Sequence, residues 1–94
     1  MPEETLFVTE SAEDRETIAA YLRTVADKLD SGEPITLSAG SEDVTLEVPA
    51  RPTFEVKAER ETGSSGAELS VEFELEWDEN GDGEPTDGGS LSIE

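Results

Sequence analysis

Cysteine and histidine are both absent from this chain of 94 residues, and aromatic residues make up 5% of it. Without cysteine there is no thiol nucleophile, no disulfide and no thiolate metal ligand. Without histidine there is no His metal site and no His-based acid–base pair or triad. Cations are scarce, with 6 Lys and Arg against 25 Asp and Glu, for a formal net charge of -19. So few scattered positive charges argue against DNA or RNA binding through phosphate contacts. No apolar run approaches the ~20 residues of a membrane span. The opening Met1-Pro2-Glu3-Glu4 lacks the basic and then apolar stretch of a secretory signal. These absences predict a soluble cytoplasmic protein, and the length allows one small domain.

Apolar residues are 33% of the chain, against the roughly 45–50% (glycine included) of soluble globular proteins. High charge with low hydropathy is also the signature of disorder, so periodicity has to decide whether the chain folds. In dilute buffer, like charges repel across ~10 Å, whereas in molar salt that reach falls to ~3 Å. Only Lys28 and Lys57 among the cations are lysines. The composition is therefore read as halophilic, the product of a salt-filled cytoplasm. The competing reading is an acidic binding surface that mimics nucleic acid.

Residues 4–9 are rich in β-formers and predict a first strand, although Leu6 and Val8 oppose Phe7. Ser11 is the expected helix N-cap, with Glu13, Asp14 and Glu16 crowding the first turns where the dipole favours anions. Ile18, Leu22, Val25 and Leu29, with Ala19 and Ala26 beside them, draw one stripe on a helix over about residues 12–30. Arg23 and Lys28 lie toward its end, Gly32 is the expected C-cap, and Pro34 prevents continuation.

Period-two alternation then takes over. Ile35 and Leu37 form one strand, Ala39–Glu42 a turn, and Val44, Leu46 and Val48 the next strand. Pro49 and Pro52 bracket another turn, before Phe54, Val56 and Ala58. Gly63–Gly66 closes a hairpin onto Leu69, Val71, Phe73, Leu75 and Trp77, which alternate with Ser70, Glu72, Glu74 and Glu76. Such alternation means one buried and one wet face, and it excludes a helix. Inward residues are even-numbered before the loop and odd-numbered after it. A loop at 63–66 then sets Phe54 opposite Leu75, Val56 opposite Phe73 and Ala58 opposite Val71. On the wet face Lys57 meets Glu72 and helps slightly, while Glu55 meets Glu74 and repels. A slip of one residue would reverse every face.

Asp78–Gly89 contains no apolar residue and reads as a flexible acidic tail. Disorder is also expected of the last residues, with a short added strand at Leu91 and Ile93 as the lesser option.

Several of these pieces, taken in order, resemble the amphi-Trp domain family. They are Arg15-Glu16, Ala20-Tyr21-Leu22-Arg23, Ala26-Asp27-Lys28-Leu29 and Gly32, then Val44–Pro49, Glu55-Val56, Glu68-Leu69 and Phe73-Glu74-Leu75-Glu76-Trp77. The resemblance covers about residues 4–77 and leaves the tail outside. It implies a haloarchaeal setting, which agrees with the charge. It carries over no catalytic residue, because the family has no assigned biochemical function.

Individual constellations favour plain structural roles. Asp78-Glu79-Asn80-Gly81-Asp82-Gly83 fits the opening of a calcium loop, but Gly89 stands where the bidentate Glu belongs and Pro85 replaces an apolar residue. Any calcium bound there is expected to be weak. Trp77 is read as a cap on the core and Tyr21 as a rim residue with its hydroxyl in water. The carboxylates Glu55, Glu59, Glu72, Glu74 and Glu76 read as a solvated face without a pocket to separate their pKa values. Arg15 and Arg23 are expected to pair with nearby Glu, and Ser64 has no base to activate it.

The expectation is an α+β domain over residues 1–77, with an acidic tail over 78–94. Its order is β-α-β-β-β-β, an antiparallel sheet with one helix packed on its apolar face. The expected core is Ile18, Leu22, Val25 and Leu29 against Val44, Leu46, Val48, Phe54, Val56, Leu69, Val71, Phe73 and Leu75. No catalytic residue, cofactor or metal site is expected, and the chain is read as no enzyme. It is read instead as an interaction module with an unknown protein partner or with itself through a sheet edge. The alternatives are a nucleic-acid mimic that binds a basic DNA-binding protein, and a weak divalent-cation binder through residues 78–89. If the charge is solvent adaptation, the near-ultraviolet circular dichroism of Trp77 grows as KCl rises from dilute to several molar. A signal already complete in dilute buffer would make the acidic face a recognition surface instead.

Overall fold

A computed structural model describes residues 3–79 and 91–94. Its elements are α1 (Arg15–Ser31), β1 (Ile35–Ala39), β2 (Glu42–Leu46), β3 (Thr53–Gly63) and β4 (Gly66–Glu76). One helix with antiparallel strands makes the chain α+β. The chain divides into two units, Met1–Val48 with α1 and the β1–β2 hairpin, and Pro49–Glu94 with the β3–β4 hairpin.

The helix begins three residues later than its composition predicts. The N-cap is Asp14, not Ser11: its extended backbone (φ -75°, ψ 164°) lets its carboxylate accept from the Thr17 N–H at 2.9 Å. Ser11 lies outside the helix and donates its hydroxyl to Glu13 Oε2 at 2.9 Å. Hydrogen bonds from the Thr17 side chain and then from its backbone lower the Asp14 pKa. The cap therefore contributes above the carboxyl's unfolded pKa and is lost as pH falls through the folded one. At the other end Gly32 adopts the left-handed φ of 74°, and its N–H donates to the Lys28 carbonyl, which also accepts from the Glu33 N–H at 3.1 Å. Lys28 Nζ reaches Glu33 across this cap at 3.3 Å, an exposed pair that adds little.

In the first hairpin Ile35 opposes Leu46 and Leu37 opposes Val44, which keeps the alternating apolar residues of both strands on one face. The turn is tighter than the expected four residues, because Ala39 and Glu42 already pair. Gly40 takes a φ of 62° in that turn, a conformation that needs no Cβ. Thr36 and Thr45 share a hydroxyl hydrogen bond at 2.9 Å on the other face.

The second hairpin has the predicted register: Phe54 opposes Leu75, Val56 opposes Phe73, Ala58 opposes Val71, Lys57 opposes Glu72 and Glu55 opposes Glu74. Gly63 and Gly66 form the last pair, so the loop itself is Ser64-Ser65. The ladder stops at Thr53 opposite Glu76. One step further, Trp77 would meet Pro52, which has no N–H to donate. Phe54 and Phe73, one rung apart diagonally, stack at 6.4 Å between ring centroids and 10° between planes.

Two expectations need correction. Residues 4–9 carry no strand. Apolar side chains fall on both sides of that stretch, so no single face rewards pairing, and a strand exists only with a partner. No residue of the expected core is buried among the described residues: Leu22 is 52%, Phe54 46% and Leu69 74% exposed. A two-stranded ribbon has no second layer of its own to enclose a side chain, and both sheets are two-stranded. Leu91 and Ile93 form no strand, the lesser option there. The expected calcium-loop positions beyond Glu79, through Gly89, lie outside the described residues.

Because nothing lies within 4 Å of a Cβ added at Gly32, a substitution there is opposed by backbone conformation alone. Gly32→Ala is expected to cost about 1 kcal/mol of helix stability, read by the far-ultraviolet helix signal in denaturant. An unchanged midpoint would refute the left-handed cap.

Candidate functional site

Alternation along β3 and β4 sorts the second hairpin into two unlike faces. Phe54, Val56, Leu69, Val71 and Phe73 share the apolar one and are all exposed, with Leu75 half-buried. Arg60 also falls there, opposite Leu69, a placement that its charge alone did not signal. The opposite face carries Glu55, Lys57, Glu59 and Glu61 from β3 with Glu68, Ser70, Glu72, Glu74 and Glu76 from β4. A second like-charged pair, Glu61 opposite Glu68, lies near the loop.

Lys57 is the one cation on that acidic face. Its Nζ lies 3.5 Å from Glu72 and 3.7 Å from Glu59. The Glu59 charge, followed by that of Glu72, raises the Lys57 pKa and keeps it protonated. Lys57 thus answers the middle of the row and leaves one end unanswered. There Glu55, Glu74 and Glu76 place carboxylate oxygens within 4.8 Å of one another, all exposed. Repulsion from Glu76 leads the effects that raise the Glu74 pKa, followed by desolvation and by Glu55. The alternation marks all five expected carboxylates as one field. Glu55 and Glu74 converge because they stand opposite one another in the ladder, with Glu76 next along the same face. With one oxygen each, three exposed carboxylates supply half or fewer of the ~6–8 oxygens that a calcium ion takes, so the cluster is foremost a concentration of negative charge.

The remaining expected positions do not gather into a site. Tyr21 is exposed on α1 and Trp77 is half-buried just past β4. Arg15 and Arg23 make no ion pair within 4.0 Å among the described residues, and Ser64 sits in the β3–β4 turn. No helix among the described residues is long and apolar enough to cross a membrane.

A helix followed by hairpins, with a last strand apolar at alternate residues and running out at Trp77, defines a small α+β protein with an amphipathic terminal strand. The chain belongs to the Amphi-Trp domain family, whose profile matches residues 1–94. The match takes in residues 78–94, which the resemblance in the sequence leaves outside. No curated protein and no solved structure matches the chain.

The raised Glu74 pKa has a definite sign in stability. The folded hairpin binds more protons than the unfolded chain, so this contribution is full below the unfolded carboxyl pKa and is lost as pH rises through the folded one. Glu74→Gln is therefore expected to raise the thermal midpoint at neutral pH and to flatten its decline between acid and neutral conditions. A midpoint that fell would contradict the repulsion.

Proposed function

We propose that this Amphi-Trp chain is a non-enzymatic interaction module of a haloarchaeal type, working in a salt-filled cytoplasm and contacting a protein partner. The observation that carries this reading is the two-faced β3–β4 hairpin. One regular ladder offers an accessible apolar face and a nearly unmixed carboxylate face. Regular ladders hold side chains at fixed spacing, which suits recognition. The excess charge keeps such a surface hydrated, and molar salt relieves its self-repulsion.

A second reading has its own support. Glu72, Glu74 and Glu76 recur along β4 about every 6.8 Å, twice the rise per strand residue. An evenly spaced row of anions is what a phosphate-binding surface reads, so a basic DNA-binding protein is the alternative partner.

Glu74→Lys separates these readings without harming the ladder, since it relieves the contacts with Glu55 and Glu76. Immobilised full chain in about 1 M KCl should capture a saturable partner, and the variant should bind it about tenfold more weakly. Absence of any saturable partner overturns the module. Capture that vanishes as salt rises favours the nucleic-acid mimic.

A further inference from the structure

We draw no further inference here: the strongest candidate, the exposed carboxylate cluster of Glu55, Glu74 and Glu76 at the end of the β3–β4 hairpin away from its loop, is an acidic cluster with no second observation that points to a ligand.

Discussion

Phe54 stacks on Phe73 only because the β3–β4 ladder has one register, and the character of the second unit depends on that register. Slipping one strand by one residue would set its phenylalanine and valine on the same side as the carboxylates of the other. The same pairing places Lys57 against Glu72 and leaves Glu55, Glu74 and Glu76 without a cation. Hydrophobic alternation thus decides where the charge is concentrated, although the two properties belong to opposite faces of the ribbon.

Charge is the second constraint. A chain at -19 resists compaction wherever its carboxylates are not screened. Local devices bear much of the order in the described residues: the Asp14 cap, the left-handed Gly32, the Gly40 turn and the ladder hydrogen bonds. None of these needs a deep apolar interior. Each is short-range, so each survives in a chain whose apolar share is 33%. The β3–β4 ribbon has no second layer within its own sheet, and its apolar side chains are exposed.

The α+β class, the Gly32 cap, both hairpins and the pairing of Phe54 with Leu75 were all legible in the residues, because period-two alternation and turn chemistry are local in sequence. The choice between Ser11 and Asp14 as cap was not. Both residues are good caps, and the structure alone shows that the helix starts at Arg15, where Asp14 accepts from the Thr17 N–H. The strand expected at residues 4–9 failed because propensity cannot supply a partner edge. The carboxylate field was legible as a row and so was Glu55 opposite Glu74, whereas the approach of Glu76 to both needed side-chain positions.

By itself, then, the sequence determined the chemistry that is missing, the alternation of faces, the turns and the family to which the chain belongs. Tertiary structure alone decided which side chains are enclosed, and among the described residues it enclosed none. The physical reason is range. Alternation, caps and turns are set by neighbours a few residues away, whereas burial requires a second layer from elsewhere, and periodicity within a strand says only which face would accept it.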